Sequence, residues 1–433
     1  MIAVALASYM ALVWLRPRLA LGTLLFLVPF GHLVRFSVVG IPFTFVEVAA
    51  YLLALVVFAH GGARHFSLRD SWIVLSMLWV LVAALAAWYS PAGIRAWGIW
   101  KAYFVAPVLL SWIMRALRDE RDAMRHVIAP LALGALGVAA LAIAQRWFPI
   151  GVPYPWSLPG KFRATSVFGY PNAVGLYLAP IAVLTIGMIA RSARTRSVVA
   201  ILVTAAAILA IWFAKSTGAL VALTIAIPAA IAFLTLRSSR ITHSRCWATV
   251  LLLAWVAVSL ALTAWLPYRH EQSKWGPPIV QKLTFQKWSG SVRLAQYRET
   301  WQLLRDHPIR GAGLAGYQTA IAPYHTNSRV EIFLYPHNLL LAVWVELGLA
   351  GLLIFLAILY QLFRVLFSPP HDGRGSERGW GLRAGLIAAM LVILIHGLVD
   401  VPYFKNDLAI LFWAIVALVG ASTVELERVR TTA

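Results

Sequence analysis

A histidine stands where a polar segment of the chain gives way to a long apolar run. The segment ends in Tyr335, Pro336, His337 and Asn338, and the following run is long enough for a membrane-spanning helix. Proline suits the first turn of a helix, so the sequence predicts His337 at the helix mouth. Because an imidazole titrates near neutral pH, it can take a proton from a hydroxyl group. His337 is a candidate general base, and a role in capping or orienting the loop fits the same position.

Basic side chains are the second group of residues that could do chemistry. The polar segment 267–336 has nine Lys and Arg residues against four Asp and Glu residues. Two explanations are open: attraction to anionic lipid headgroups, or a pocket whose arginines bind phosphate oxygens. We expect Arg298, Arg305 and Arg310 mainly at the surface, with substrate binding as the alternative. The basic residues are Arg269, Lys274, Lys282, Lys287, Arg293, Arg298, Arg305, Arg310 and Arg329.

The same polar segment contains a predicted amphipathic helix from Ser291 to Arg305. Asp306-His307-Pro308 should end this helix, because the residue before a proline is pushed out of the α region. Gly311 and Gly313 then predict a tight, close-packing turn. We expect one apolar face, with Arg293, Glu299 and Arg305 at polar positions. The members of the apolar face are Val292, Tyr297, Thr300, Trp301 and Leu304.

The composition indicates the elements that must hold these groups. Of 433 residues, 61% are hydrophobic and only 12% are charged, against about 25% charged in typical soluble domains. This excludes a soluble enzyme, a disordered protein and a disulfide-stabilised secreted module. The net charge of +21 does not indicate nucleic-acid binding, because much of it lies in short loops between apolar runs. The fold class is therefore an all-α polytopic integral membrane protein.

The apolar runs predict 12 or 13 spans. Basic loops on one side place that side and the C-terminus in the cytoplasm. Residues 267–336 then form one long, partly helical periplasmic loop domain between two transmembrane regions, 1–266 and 337–433. Lys101 and Glu47 lie inside apolar runs, where lipid-carrier contact and helix pairing are both open. The runs are 2–15, 19–34, 43–59, 71–89, 97–114, 127–148, 172–190, 197–214, 217–236, 247–266, 337–363, 383–400 and 406–423.

Several spaced motifs together resemble the O-antigen ligase and O-antigen polymerase superfamily. The most specific is His337-Asn338-x-x-Leu341-x-x-x-x-Glu346-x-Gly348-x-x-Gly351, preceded by Pro308-x-x-Gly311-x-Gly313 and by Arg293-x-x-x-Tyr297. Shorter motifs upstream and downstream are also similar to the family's, and together the motifs cover roughly residues 160–405. These motifs are Arg163-x-x-x-x-Phe168-x-x-Pro171-Asn172, Lys215-Ser216-Thr217-Gly218-Ala219 and His396-x-x-x-Asp400.

The resemblance implies a GT-C type fold of about 12 transmembrane helices in the bacterial inner membrane, with the active site facing the periplasm. It implies a glycosyltransferase that moves a glycan from undecaprenyl pyrophosphate to lipid A–core oligosaccharide, without a metal or another cofactor. In this reading His337 is the base, and Arg163, Lys215 and Arg293 bind the pyrophosphate. Direct displacement at the anomeric carbon would invert its configuration. Supporting roles fall to Tyr335, Asn338, Arg298, Arg310 and Asp400.

The sequence departs from the family's pattern at two positions, and other functions stay open. Thr217 stands where the family has arginine, and Lys215 could supply that charge as a point charge rather than a fork. Tyr297 stands where the family has tryptophan. Arg163 and Lys215 could instead reach toward lipid headgroups, and Asp400 could pair with Lys405. The alternatives are an O-antigen polymerase, a protein O-oligosaccharyltransferase, and a lipid-linked glycan flippase or transporter; we expect a monomer.

Overall fold

The protein is described by a computed structural model. It describes residues 2–38, 41–62, 67–116, 124–189, 194–237, 288–326, 330–368 and 377–432. The predicted span 247–266 and the first part of the predicted loop domain, residues 267–287, lie outside these ranges. The helices are Ile2–Leu15, Pro17–Leu27, Phe45–Ala59, Ser71–Trp88, Ile94–Trp100, Ala106–Ala116, Ala129–Ala144, Pro171–Ile189, Arg194–Phe213, Thr217–Arg237, Trp288–Asp306, Tyr317–Ile321, Leu339–Phe367, Glu377–His396 and Asn406–Thr432.

Short irregular turns complete several of these helices. Val28–Leu33 and Ala322–Tyr324 are 3₁₀ helices, and Lys101–Val105 and Met124–Ile128 are π-helical. The π-helical stretch at Lys101 joins its two neighbouring helices into one apolar rod, Ile94–Ala116. One small antiparallel hairpin pairs Arg35–Val38 with Ile41–Thr44. The rest of the described chain is helix and loop, as the composition predicted.

Apolar helices occupy every predicted run that the structure describes. In that part of the chain, five helices are long and apolar enough to cross a bilayer, and shorter apolar helices lie in the other runs. The prediction of an all-α membrane protein is confirmed, whereas the number of about 12 spans stays a prediction. The five are Ser71–Trp88, Ile94–Ala116, Arg125–Ala144, Thr217–Leu236 and Leu339–Phe367.

Glycine residues allow the helices that carry the motifs at Ser216 and His396 to approach closely. Helix Glu377–His396 packs against both Pro171–Ile189 and Thr217–Arg237. A Cβ on Gly175 would collide with Ser216, and one on Gly218 would collide with His396. Such close approach is typical of helix packing in membranes, where contacts between small residues replace the hydrophobic effect.

Two groups of buried polar side chains in the bundle are paired. The Lys101 ammonium lies 2.6 Å from the Glu47 carboxylate, which also accepts a hydrogen bond from the Thr44 backbone at 2.7 Å. The Tyr403 hydroxyl accepts from the indole nitrogens of Trp79 at 2.7 Å and Trp413 at 3.1 Å. Of the two explanations for Lys101 and Glu47, the structure therefore shows helix pairing.

The amphipathic helix of the polar segment is present and runs from Trp288 to Asp306; we call it the loop helix. It ends two residues before Pro308, as predicted. Two predicted side-chain positions are wrong. Glu299 is buried, because its carboxylate accepts hydrogen bonds from the Thr326 backbone and hydroxyl, both at 3.1 Å. Trp301, predicted on the buried face, is 51% exposed.

Helix Leu339–Phe367 carries His337 just before its first turn and is broken in its middle; we call it the kinked helix. Gly348 has φ +71° and ψ −175°, a conformation outside the helical region and essentially restricted to glycine. At this break in the helix, the Leu349 amide donates to the Ile309 carbonyl, which lies outside the helix, at 3.0 Å. A Cβ at Gly348 would collide with that carbonyl.

The turn after the loop helix, residues 309–316, fits into this break; we call it the glycine turn. Its Ala312 amide donates to the Val345 carbonyl at 2.7 Å, and its Ala315 amide donates to the Glu346 carboxylate. Gly311 and Gly313 both have positive φ, as the predicted turn requires. The two glycine-containing motifs of the sequence thus form one contact, which joins the loop helix to the helix that carries His337.

Candidate active site

Arg163 is held by three hydrogen bonds at one end of the helix bundle. Its Nε donates to the Ala214 carbonyl at 2.9 Å, and its Nη2 donates to Asn172 Oδ1 at 2.8 Å and to the Lys215 carbonyl at 3.3 Å. The guanidinium also lies over the Trp156 ring, 5.0 Å from its centre. Nη1 has no hydrogen bond to the described residues. The guanidinium is therefore fixed in place and keeps two N–H groups for a further acceptor.

A chain of polar side chains connects Arg163 to Asp400 of the motif His396-x-x-x-Asp400. Asn172 accepts from Arg163 and donates from Nδ2 to the Asp400 carboxylate at 2.9 Å. The other Asp400 oxygen accepts from the Val401 amide at 2.9 Å. Asp400 thus contacts Asn172 rather than pairing with Lys405, whose ammonium lies 4.5 Å from the Tyr170 ring centre. This favours a supporting role at Arg163 over the alternative pair with Lys405.

Lys215 occupies the turn between two helices, Arg194–Phe213 and Thr217–Arg237. Its backbone has φ +51°, so the turn places its carbonyl against Arg163 and leaves its side chain exposed. Partial burial of the ammonium lowers the pKa of Lys215, and the neighbouring charges of Arg163 and Arg146 add to this. The structure therefore brings Lys215 beside Arg163, and their shared binding of an anion stays a prediction.

The charge on Arg293 of the loop helix reaches the same region. Burial, and then repulsion by Arg293, lowers the pKa of Arg163 to about 10, while attraction to Asp400 opposes the change. A positive charge close enough to lower the pKa of Arg163 favours a bound anion nearby. Arg163 contacts Lys215, and Arg293, from a third part of the sequence, lies close enough to act on the charge of Arg163.

His337 is held from two sides by consecutive residues of the loop helix. The Tyr297 hydroxyl lies 2.9 Å from the His337 carbonyl and 2.8 Å from the Leu398 carbonyl. The Gln296 side-chain oxygen lies 3.1 Å from Nδ1 of the imidazole. The His337 backbone has φ +48°, in the left-handed region that non-glycine residues rarely adopt. Such strain at a held residue is often associated with function.

The surroundings keep the His337 imidazole neutral at physiological pH. Burial lowers the pKa of His337, the positive charge of Arg293 lowers it further, and the negative charge of Asp400 opposes both. A neutral imidazole can accept a proton, which a general base requires. His337 therefore lies close enough to Arg293 and Asp400 for both charges to act on it.

The neighbours of His337 fix the start of the kinked helix. Asn338 caps this helix, since its side-chain oxygen accepts from the Leu341 amide at 3.1 Å. Its amide nitrogen also donates to the Leu398 carbonyl at 3.2 Å. Tyr335 packs on Phe404, with 5.1 Å between ring centres. Asn338 therefore fixes the backbone that follows His337, and Tyr335 contacts the neighbouring loop; an orienting role of either residue for His337 stays a prediction.

Two of the predicted supporting arginines lie at the surface. Arg298 and Arg310 are exposed, and the Arg310 carbonyl accepts a hydrogen bond from the Tyr89 hydroxyl at 2.8 Å. The backbone of Arg310 therefore takes part in docking the glycine turn. No described contact brings either guanidinium to Arg163 or His337, which agrees with the surface role expected for them.

Sequence reasoning missed Gln296 and Trp156. Gln296 is 6% exposed and contacts His337 across 41 positions of sequence. Its only signal was its place beside Tyr297 on the predicted helix. Asn172 was part of a recognised motif, but its link between Arg163 and Asp400 depends on a contact 228 positions apart. Only the folded chain shows these partners.

Part of the chain that contributes to this site also matches a family model. A family model described as O-antigen ligase matches residues 180–356, which include Lys215, Arg293 and His337. This match, over 177 of the 433 residues, supports membership of the O-antigen ligase family. Comparison with curated proteins found no match. Arg163, Asn172 and Asp400 lie outside the matched region, and the structure alone connects them to it.

Similarity to the O-antigen ligase family supports a membrane-embedded, transferase-type enzyme of lipopolysaccharide biosynthesis. Its substrates in general are lipid-linked glycan and lipid A–core. For this chain, the family match and the apolar helices together support a protein embedded in a membrane.

Proposed function

We propose that this protein is an inverting, metal-independent glycosyltransferase that joins O-antigen glycan to lipid A–core. The donor is undecaprenyl-pyrophosphate-linked glycan, and the reaction takes place on the periplasmic side of the inner membrane. The observation that carries the proposal is that one loop contacts both groups. Tyr297, which bonds the His337 carbonyl, also bonds Leu398, and Asn172, which bonds Arg163, also bonds Asp400. A base beside a cationic anion site is what transfer from a lipid pyrophosphate requires.

His337 takes the proton of the attacking hydroxyl group in this proposal. A sugar hydroxyl is a weak nucleophile, and a neutral imidazole can accept its proton as the new glycosidic bond forms. The oxygen attacks the anomeric carbon from the side opposite the pyrophosphate. The bond to the pyrophosphate oxygen breaks with both electrons going to that oxygen, and the anomeric configuration inverts.

The three cationic residues stabilise the leaving group. Negative charge grows on the pyrophosphate as its bond to the sugar breaks, and fixed cations at low dielectric stabilise that charge most in the transition state. Arg163 is suited to this, because its three hydrogen bonds fix the guanidinium before substrate arrives. Arg293, on the loop helix, and Lys215, in the turn before helix Thr217–Arg237, complete the anion site. The donor's lipid tail would lie along the apolar bundle.

A polymerase that lengthens the lipid-linked glycan is the second candidate, since the family match supports either reaction. The two differ only in the acceptor, which is lipid A–core for the ligase and a second lipid-linked glycan for the polymerase. A flippase or transporter is less well supported. Transporters place key charges near the middle of the membrane, whereas these cations lie at helix ends and in loops.

Reconstitution of the reaction distinguishes these functions. Purified protein in detergent would be incubated with undecaprenyl-pyrophosphate-linked O-antigen and lipid A–core, with EDTA present. We expect the acceptor band to shift on a gel, and NMR of the new linkage to show the inverted anomer. Lengthening of the donor without an acceptor shift would indicate the polymerase. Folded protein that forms neither product would contradict glycosyl transfer and favour transport.

A further inference from the structure

The imidazole of His337 has two nitrogens, and the structure gives them different surroundings. Nδ1 lies 3.1 Å from the side-chain oxygen of Gln296. Nε2 has no hydrogen bond to the described residues. A carbonyl oxygen can only accept, so this contact places the proton on Nδ1 and leaves a lone pair on Nε2.

Gln296 is itself held in place. It is 6% exposed, and its backbone carbonyl accepts from the Thr300 hydroxyl at 2.6 Å. The next residue, Tyr297, contacts the His337 backbone carbonyl at 2.9 Å. One turn of the loop helix therefore holds both the ring and the backbone of His337, and the ring edge of Phe333 packs against it at 4.9 Å between centres.

We propose that Gln296 is a positioning residue that fixes His337 in the tautomer whose Nε2 can accept the proton of the attacking hydroxyl. The proposal rests on the proposed function, because it assigns a task to a base whose reaction is itself proposed. Fixing the tautomer matters because an imidazole with its proton on the wrong nitrogen cannot act as the base. In a serine protease triad, loss of the residue that fixes the tautomer lowers kcat about 10⁴-fold.

Two substitutions of Gln296 make opposite predictions. Gln296→Glu keeps the shape and the acceptor and adds a negative charge, which stabilises the protonated imidazole. The acid limb of the pH–rate profile should then move up by about one pH unit, while the rate at high pH is kept. Gln296→Leu removes the acceptor and frees the tautomer, so kcat should fall about tenfold or more at every pH, with little change in KM.

The charged groups around His337 are part of this expectation. Arg293, on the same helix as Gln296, lowers the pKa of His337, and Asp400, from the loop after helix Glu377–His396, raises it. Tyr297 and Asn338 contact the same stretch of backbone but carry no charge at neutral pH. Both Gln296 variants keep all of these groups, so the change in profile reports on Gln296 itself.

Matched controls come from the same helix. Gln302 is exposed on the loop helix, so Gln302→Glu and Gln302→Leu make the same chemical changes away from His337. We expect both controls to keep the wild-type profile and rate. A second readout does not depend on transfer: diethyl pyrocarbonate modifies the neutral imidazole, and mass spectrometry of the peptide that contains His337 gives its reactivity against pH.

The two readouts together decide the proposal. We expect the midpoint of His337 reactivity to rise in Gln296→Glu and stay at the wild-type value in Gln302→Glu. Equal midpoints in the two variants, or a wild-type rate in Gln296→Leu, would overturn the role of Gln296. If the midpoint shifts as expected but wild-type protein transfers no glycan, the proposed function fails, whereas the control of His337 by Gln296 is supported.

Discussion

The geometry of single side chains decides which cation can do which task. Arg163 uses three N–H groups to hold its own position and keeps the two on Nη1, whereas Lys215 presents an exposed point charge. A guanidinium fixed in this way directs its remaining N–H groups at a phosphate oxygen, and an ammonium on a flexible stem does not. Arg163 should therefore tolerate substitution by lysine poorly, although the charge is conserved.

Arg163→Lys should lower the rate of glycan transfer about 10²-fold, because a fixed donor to the leaving group is lost. The initial rate would be measured with purified protein at saturating acceptor. Arg305→Lys, an exposed arginine on the loop helix, is the matched control and should keep its activity. A wild-type rate in Arg163→Lys would show that the fork is not used.

The pH dependence of transfer should report the charges around His337. The base works in its neutral form, so the rate falls as pH drops through the pKa of His337, which lies below its ordinary value. Arg293→Gln removes a charge that lowers this pKa and should move the acid limb to higher pH. Asp400→Asn removes a charge that raises it and should move the limb to lower pH. Shifts in the same direction for both variants would contradict the assignment.

At the scale of elements, the contact between the glycine turn and the kinked helix sets the position of the loop helix over His337.

The sequence predicted the loop helix, its end before Pro308 and the turn at Gly311 and Gly313. It did not predict the break at Gly348, because an apolar run reads as a continuous helix. Nor could it predict the burial of Glu299, whose partner Thr326 lies 27 residues away.

Gly348→Ala should destabilise the protein by about 1–3 kcal/mol or more, because the backbone conformation is almost restricted to glycine and the new methyl group meets the Ile309 carbonyl. Thermal unfolding in detergent measures this as a lower melting temperature. Gly98→Ala is the matched control: Gly98 lies within a helix and a Cβ there meets no atom within 4 Å. Equal melting temperatures for the two variants would contradict a strained break at Gly348.

At the scale of the whole molecule, the apolar runs of the sequence were enough to predict the all-α fold class, because each run must become a helix in lipid. The meeting of the site residues was not predictable in the same way. Arg163, Lys215, Arg293 and His337 come from distant segments, and only the family resemblance grouped them before the structure did. The buried ion pair of Lys101 and Glu47 is a second contact of this kind, since it joins two helices that are far apart in the chain.

Lys101→Met should destabilise the protein by about 3–5 kcal/mol, because it leaves the Glu47 carboxylate buried without its partner. The double variant Lys101→Met with Glu47→Gln removes both charges and should recover much of the loss. Thermal unfolding of the single and double variants measures this coupling. A double variant as unstable as Lys101→Met would show that the ion pair does not explain the effect.

We propose His337 as the base of a glycosyl transfer whose leaving group is bound by separate cations. The most direct test compares wild-type protein with His337→Ala for binding of undecaprenyl-pyrophosphate-linked glycan and for its transfer to lipid A–core. We predict donor binding close to wild type and transfer reduced at least 10²-fold, because the proton acceptor is lost while the anion site is kept. Transfer at the wild-type rate by folded His337→Ala would contradict the account.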